Sequence, residues 1–331
     1  IIRRLSRYES VGHFYSQMTN LIGFKGHFDE GKTMGLAPYG KPIESLLDLI
    51  QTHDTGRIEI DGSKLASIKN QFKFLGSDPT KDERKNIAAT AQFLLEKTAT
   101  HLVKNIQEVS SENKICLAGG TALNIDMNSR ILEMDNIKDI FIQPASGDAG
   151  TALGAALYLH HQFSSKKITP MKHVFLGPQI DEDEVIDYLK KSCIAYETLS
   201  NIPQEIAEII NQDRIVAWVQ GKAEFGPRAL GSRSLLGNAR KKEMWLKMNK
   251  VKHREYWRPL APSIIEEKAS EFFESKTKSP FMLLGSKVKD KKIESIPAVV
   301  HVDKTARHQT VNKNDNRLYW ELLNEVGKND D

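Results

Sequence analysis

The chain has 331 residues, of which 40% are hydrophobic, 27% charged and 8% aromatic. This balance is typical of a globular protein of about two domains, and it excludes a disordered or collagen-like chain. The sequence lacks a run of about 18 apolar residues, so we expect no transmembrane helix. Two cysteines, Cys116 and Cys193, are too few for a disulfide framework or for a tetrahedral zinc site, and we expect a cytoplasmic protein.

The formal charge is only +4, but the positive charges are concentrated in one stretch. Between Arg214 and Arg258 there are 12 lysines or arginines against 3 glutamates and no aspartate. A folded surface tolerates such a density poorly unless an anion neutralises it. The alternative is a basic face that is simply solvated.

Apolar spacing predicts helices and strands along the first half of the chain. We expect a helix over residues 10–23, a glycine-rich loop over 23–40, a short strand over 56–60 and a long helix over 81–110. Two apolar strands, 114–118 and 137–142, each run into a glycine turn that is followed by a helix. Two such units in succession indicate an α/β layer with ligand contacts at the carboxyl ends of the strands.

The two glycine turns and an earlier glycine loop are candidate nucleotide contacts. Glycines at these positions allow a ligand to approach the backbone closely, and the free N–H groups of the next helix favour an anion. The candidate residues are Gly119, Gly120 and Asn124 in the first turn, Gly147, Asp148 and Gly150 in the second, and Asp29 and Lys32 in the loop. Each turn can also be explained without a ligand, and Asp148 either caps a helix or coordinates a cation.

The second half contains the most specific local pattern. An apolar strand over residues 214–219 leads into a loop with glycines at 221, 226, 231 and 237. Arg228 and Arg233 in this loop carry planar guanidinium groups, which match phosphate oxygens in pairs. Lys252, Arg258 and Arg307 follow further along. We expect these side chains to converge on one cavity that holds a polyphosphate, although a basic aromatic helix over 240–258 that binds nucleic acid is an alternative.

Several motifs together resemble the ATP-dependent O-carbamoyltransferases of the nodulation-protein-U type. The matching runs occur in the family's order over nearly the whole chain; they are residues 29–40, 117–124, 143–156, 224–234, 257–262 and 301–307.

The resemblance implies an α/β protein with two partial domains. Residues 1–165 would form the second half of an actin/Hsp70-like (ASKHA) domain, 166–178 a linker, and 179–331 a truncated YrdC-like domain. The resemblance also implies that the N-terminal half of the first domain and the C-terminal end of the second lie outside this chain. We therefore expect the fragment to have little or no complete activity.

The resemblance further implies the reaction and the roles of the residues. ATP and carbamoyl phosphate would be converted to carbamoyl-adenylate, and the carbamoyl group would pass to a hydroxyl of a small-molecule or sugar acceptor. Arg228, Lys252, Arg258 and Arg307 would hold phosphates, and the glycines of the first turn with Asn124 would line the adenosine site. Asp148 would be one ligand of an incomplete divalent metal site, for Fe²⁺ or Mg²⁺.

Two other classes of function remain open on the residues alone. A small-molecule kinase of the actin-like fold would explain the glycine turns but not the basic second half. A nucleic-acid-binding module that uses residues 214–258 would explain the basic stretch but not its many glycine and proline turns, so nucleic acid is the less expected partner.

Overall fold

A computed structural model describes residues 4–72, 81–275 and 277–328. The chain divides into two compact units. The first comprises the residues up to Gly147 together with Trp257–Pro259, and the second comprises Asp148–Tyr256 and the residues from Leu260 onwards. Both units combine helices with small sheets, so the predicted α/β class is confirmed at this level.

The first unit contains five helices and four strands among the described residues. The helices are α1 (Val11–Ile22), α2 (Glu30–Leu36), α3 (Gly62–Phe72), α4 (Asp82–Ser110) and α5 (Ile125–Leu132). The strands are β1 (Ile50–Thr52), β2 (Ile58–Ile60), β3 (Lys114–Leu117) and β4 (Asp139–Ile142). Strands β1 and β2 pair antiparallel, whereas β3 and β4 pair parallel.

The core of the first unit forms where α1 packs on the long helix α4. Phe14, Met18 and Ile22 occur at helical spacing on α1, and each is at most 1% exposed. Leu94 and Leu95 on α4 are buried to the same degree. Each such side chain contributes about 2 kcal/mol of hydrophobic stabilisation, which explains why the predicted spacing led to the correct helices.

The second unit contains the remaining elements. Its helices are α6 (Gly150–Phe163), α7 (Glu182–Lys191), α8 (Ile202–Asn211), α9 (Glu243–Val251), α10 (Ala269–Phe272) and α11 (Arg317–Gly327). Its strands are β5 (Phe175–Gln179), β6 (Val216–Val219), β7 (Lys222–Glu224), β8 (Arg233–Leu236), β9 (Ser263–Ile265), β10 (Phe273–Glu274), β11 (Ser286–Val288), β12 (Thr305–Ala306) and β13 (Gln309–Val311).

Short sheets and one helix pair hold the second unit together. The pairs β5–β7 and β6–β8 are antiparallel, β10, β11 and β12 form an antiparallel sheet, and β9 pairs with β13 in parallel. Helices α8 and α11 pack against each other. Ile210 of α8, Trp218 of β6, and Tyr319 and Leu322 of α11 share one buried cluster.

Two segments differ from the sequence-based expectation. Residues 30–36 form helix α2 within the predicted glycine-rich loop. Glycine fits at position 35 of this helix because the backbone itself packs against Pro259. A Cβ at this position would lie only 3.3 Å from Pro259 Cδ. The last residues of the predicted linker 166–178 belong to β5, since Phe175 pairs with Glu224 and Gln179 with Lys222 across a bulge. In the described part of the chain, no helix is long and apolar enough to cross a membrane.

Candidate functional site

The first residues of the two glycine turns belong to the first unit and lie side by side. Strands β3 and β4 are parallel, so their carboxyl ends meet at the same edge of the sheet. The Gly119 amide donates to the Ser146 carbonyl at 2.8 Å, which joins the two turns directly. A Cβ placed on Gly119 or Gly120 would meet no atom within 4 Å, and one on Gly147 would only touch Leu123 Cδ1 at 3.8 Å. The backbone of these glycines is therefore open to a close approach.

Asn124 has a different environment from the glycines that precede it. Its Oδ1 accepts a hydrogen bond from the Met127 amide at 2.9 Å and so caps helix α5. Its side-chain amide also pairs reciprocally with that of Gln92, at 3.0 Å in both directions. Asn124 is only 8% exposed. These bonds give it a structural role, and its predicted contact with adenosine stays a prediction.

Gln92 belongs to a buried polar chain that the sequence analysis did not identify. The Tyr15 hydroxyl donates to Gln92 Oε1 at 2.8 Å, and Gln92 Nε2 donates to Glu96 Oε1 at 2.7 Å. Burial raises the pKa of Glu96 above its ordinary value; Asp126 and Glu133 add to the rise, and the hydrogen bond from Gln92 opposes it. The only sequence signal was two polar residues, Gln92 and Glu96, one helical turn apart within the apolar stripe of α4.

Asp29, Lys32 and Arg258 come together in the first unit. Lys32 Nζ lies 3.2 Å from Asp29 Oδ1, and the Lys25 amide donates to Asp29 Oδ2 at 3.1 Å. Burial raises the pKa of Asp29, but the Lys25 amide, Lys32 and Arg258 together hold it below its ordinary value. Arg258 was expected among the cations of the second half, whereas the structure places it beside this acidic group.

The residues on both sides of Arg258 explain that placement. Trp257 is 3% exposed, its ring centroid lies 6.1 Å from that of Phe24, and its carbonyl accepts a hydrogen bond from the Tyr39 hydroxyl at 3.2 Å. Pro259 packs against Gly35. The motif 29–40 and the start of the motif 257–262 are therefore in direct contact, although more than 200 residues separate them in sequence.

In the second unit, Arg228 lies on the loop of residues 225–232, which connects β7 to β8. Two buried side chains fix the far end of this loop. Trp218 Nε1 donates to the Gly231 carbonyl at 2.9 Å, and Gln309 Nε2 donates to the Leu230 carbonyl at 2.9 Å. Gln309 had no predicted role, although it follows the motif 301–307 closely in sequence.

Arg233 serves the backbone around this loop. Its guanidinium group donates to four carbonyl oxygens, those of Gln220 and Ser232 at 2.8 Å, Gly221 at 3.1 Å and Pro178 at 3.4 Å. A guanidinium group has five N–H donors in a fixed fork, so most of this capacity is already engaged. The structure thus gives Arg233 a bracing role, and its predicted contact with a cofactor stays a prediction.

Lys252 and Arg307 lie at two other places in the second unit. Lys252 is exposed and follows directly after helix α9, whereas Arg307 is half-buried between β12 and β13. Asn249, which the sequence analysis did not single out, is 1% exposed and shapes the segment around Lys252. Its Nδ2 donates to the Tyr256 carbonyl at 3.1 Å, and its Oδ1 accepts from Arg254 Nε at 2.6 Å.

The predicted phosphate ligands are divided between the two units. Arg228, Lys252 and Arg307 belong to the second unit and Arg258 to the first. That these four cations surround one cavity stays a prediction. Within the second unit, a shallow, solvent-open cleft with a cavity volume of about 30 Å³ is lined by residues such as Phe175, Leu230, Phe281, Gln309, Asn312 and Asn316. None of the predicted site residues lines this cleft.

Asp148 is exposed at the start of α6. Its carbonyl accepts a hydrogen bond from the Thr151 amide at 3.1 Å. The N-cap residue of the helix is Ala149, and no side chain forms a capping hydrogen bond there. The alternative that the Asp148 carboxylate caps the helix is therefore wrong. Among the residues that the structure describes, no group of three histidines, cysteines or carboxylates is arranged to hold a metal ion. These residues do not fit a metal site around Asp148 by themselves.

The comparisons with known proteins agree with the order of the motifs. Residues 1–157 match the family model described as "Carbamoyltransferase N-terminus", and residues 207–331 match "Carbamoyltransferase C-terminus". The two models together cover most of the chain, and the chain belongs to the carbamoyltransferase family.

Individual relatives extend over almost the whole chain. The chain is 37% identical to nodulation protein NolNO of Sinorhizobium fredii, and the match covers 97% of this chain and 49% of that protein. It is 35% identical to nodulation protein NolO of Bradyrhizobium diazoefficiens, over 97% of this chain and 61% of that protein. It is 36% identical to an uncharacterized protein of Synechocystis sp., over 95% of this chain and 58% of that protein. The chain thus spans about half to three fifths of the length of these relatives.

Proposed function

We propose that the chain is part of an enzyme that makes carbamoyl-adenylate from ATP and carbamoyl phosphate and transfers the carbamoyl group to a hydroxyl of a small-molecule or sugar acceptor. The observation that carries this proposal is the match of the chain, in order, to both the N-terminal and the C-terminal carbamoyltransferase models. Transfer of a carbamoyl group follows from the family, whereas ATP, carbamoyl phosphate and the hydroxyl acceptor are the proposed parts.

The charge distribution supports two anionic substrates. ATP and carbamoyl phosphate repel each other, and clustered cations lower the cost of bringing them together. In this proposal Arg228, Lys252, Arg258 and Arg307 hold the phosphates and stabilise the pyrophosphate as it leaves. For the atoms to balance, both pyrophosphate and inorganic phosphate are released and one water molecule is consumed.

The open glycine turns support a nucleotide contact in the first unit. The exposed backbone of Gly119 and Gly120 is free to approach a ribose or a phosphate closely, and the joined turn at Gly147 lies beside it. Asp29 and Lys32 offer a carboxylate and an ammonium group at hydrogen-bonding distance from each other. In the same proposal residues 1–165 belong to an actin/Hsp70-like domain and residues 179–331 to a YrdC-like domain, in the cytoplasm.

A divalent metal, Fe²⁺ or Mg²⁺, is the remaining part of the proposal. Asp148 is its one candidate ligand in the described chain, so further ligands are needed.

The experiment that tests the proposal is titration of this chain with ATP and, separately, with carbamoyl phosphate in a calorimeter. Loss of a charge-assisted hydrogen bond costs about 1.5–3 kcal/mol, so Arg228→Ala should weaken binding by about 10- to 150-fold. Lys191→Ala is the matched control, because Lys191 forms an exposed ion pair with Asp187 on helix α7. Equal effects of the two substitutions would count against the role of Arg228.

A turnover assay separates the proposal from its alternatives. In the full-length protein, isotope exchange between pyrophosphate and ATP that requires carbamoyl phosphate is expected for carbamoyl-adenylate formation. A kinase would instead release ADP without carbamoyl phosphate. Binding of RNA with a steep salt dependence that ATP leaves unchanged would favour the nucleic-acid module.

A further inference from the structure

The Glu224 carboxylate accepts hydrogen bonds from three backbone amides at the end of the loop that carries Arg228. Glu224 is the last residue of β7, and its Oε1 accepts hydrogen bonds from the amides of Leu230 at 2.7 Å, Ser232 at 2.8 Å and Arg233 at 3.2 Å. A single carboxylate oxygen therefore ties the residue before the loop to the residues at its far end. A carboxylate accepts such bonds more strongly than a neutral oxygen does.

The loop depends on these bonds because β7 and β8 are not paired with each other. Strand β7 pairs with β5, and β8 pairs with β6. A ladder of hydrogen bonds therefore does not close the loop, as it would in a hairpin, and side chains do so instead. Besides Glu224, these include Trp218 and Gln309, which donate hydrogen bonds to the carbonyls of Gly231 and Leu230.

The conformation at the far end of the loop leaves little freedom. Gly231 has φ +99°, a region that favours glycine, and a Cβ there would lie 2.3 Å from the Tyr319 ring. Tyr319 is 1% exposed, so the ring itself is held by the core. The far end of the loop packs against the core at Gly231 and is bonded to Glu224, which precedes the loop. Arg228 lies between these two fixed points, so its position is defined.

We propose that Glu224 is a positioning residue: its carboxylate preorganises residues 225–233 so that Arg228 meets an anionic substrate without first ordering the loop. This inference rests on the proposed function, in which Arg228 holds a phosphate. A preorganised loop loses less conformational entropy when the ligand binds, and that difference appears as affinity. The charge of Glu224 also offsets part of the repulsion among the 12 cations between residues 214 and 258.

Three substitutions separate positioning from chemistry. Glu224→Gln keeps an acceptor oxygen at the same distance from the backbone. Glu224→Asp keeps the charge but shortens the side chain by one methylene group, so the carboxylate lies further from the three amides. Glu224→Ala removes the acceptor. If Glu224 positions the loop, affinity falls in the order Glu, Gln, Asp, Ala. If it acts as a base or a metal ligand, Asp replaces it better than Gln.

The test combines calorimetric titration of ATP and of carbamoyl phosphate with hydrogen exchange of the full chain. Glu224→Ala should weaken binding by about 10-fold or more, and Glu224→Gln by less than about 3-fold. The amides of Leu230, Ser232 and Arg233 should exchange faster in Glu224→Ala. Val288→Ala, in a different buried cluster of the same unit, should lower stability but leave the affinity unchanged, because Val288 packs with Phe273 and Ala306 and not with Trp218 and Tyr319.

The results distinguish this inference from the proposed function. If the wild-type chain binds ATP or carbamoyl phosphate and Glu224→Ala binds it equally well, the positioning role is wrong and the proposed function stands. A better replacement by Asp than by Gln, or a loss of affinity in Val288→Ala as large as in Glu224→Ala, also overturns it. If the wild-type chain binds neither compound, the proposed function fails and the inference falls with it.

Discussion

His308 is a buried imidazole that should make the second unit sensitive to acid. It is 0% exposed and follows β12, and its ring stacks on Phe273 with centroids 4.4 Å apart and planes inclined by 15°. Burial lowers the pKa of His308 from 6.5 to about 4, and the Ala306 backbone opposes this shift more weakly.

The direction of the effect follows from which state binds the proton. The unfolded chain takes up a proton on His308 below pH 6.5, whereas the folded protein keeps the ring neutral until about pH 4. The contribution of the neutral His308 to the free energy of unfolding is therefore fully present above pH 6.5, and it declines as the pH falls from 6.5 towards about 4. The full shift corresponds to about 3 kcal/mol, of which about 2 kcal/mol is lost by about pH 5.

Denaturant unfolding between about pH 7.5 and pH 5, for the wild-type chain and His308→Leu, measures this loss. Leucine has a similar volume and no proton to bind, so at about pH 7.5 its effect should stay within about 1.5 kcal/mol. The variant should lack most of the decline in the free energy of unfolding at low pH. His161→Leu is the control, because His161 is exposed and its removal should leave the decline in place. Equal slopes for the wild type and His308→Leu would refute the reasoning.

Two further substitutions test the packing and the buried charge. Gly231→Ala should lower the free energy of unfolding by about 2–4 kcal/mol in a denaturant titration, because the added Cβ meets the Tyr319 ring at a positive φ; an unchanged midpoint would contradict this contact. Glu96→Gln should make the chain more stable at neutral pH, since the raised pKa of Glu96 means that stability is lost as the pH rises through it. That gain should shrink on acidification, and a gain that is constant with pH would contradict it.

The long helices and four of the strands, β2, β3, β4 and β6, could be predicted from local pattern. The apolar spacing on α1 and α4 corresponds to the buried faces seen in the structure. The parallel pair β3–β4 and its two glycine turns were also predictable, because each strand, turn and helix is contiguous in sequence. Helix α2 was missed because its two glycines resemble a loop locally, whereas Gly35 is packed against a residue more than 200 positions away.

The candidate site was only partly predictable. Arg228 and Arg233 are equivalent as sequence signals, but the structure engages Arg233 with four backbone carbonyls. Glu224 had no local signal for its role, and for Gln92 the only signal was its spacing from Glu96, because a polar residue in a helix or strand does not reveal its partners. Their hydrogen bonds became visible only with the backbone of other segments in place.

The amino-acid sequence by itself determined the class of fold, the order of the motifs and the family, since these depend on periodicity and on residues close together along the chain. Tertiary structure alone decided that Arg258 lies beside Asp29, that Asn124 caps a helix and that one glutamate closes the loop around Arg228. The physical reason is that charge and hydrogen bonding act through space. Which donor meets which acceptor is fixed when hydrophobic burial packs distant segments together.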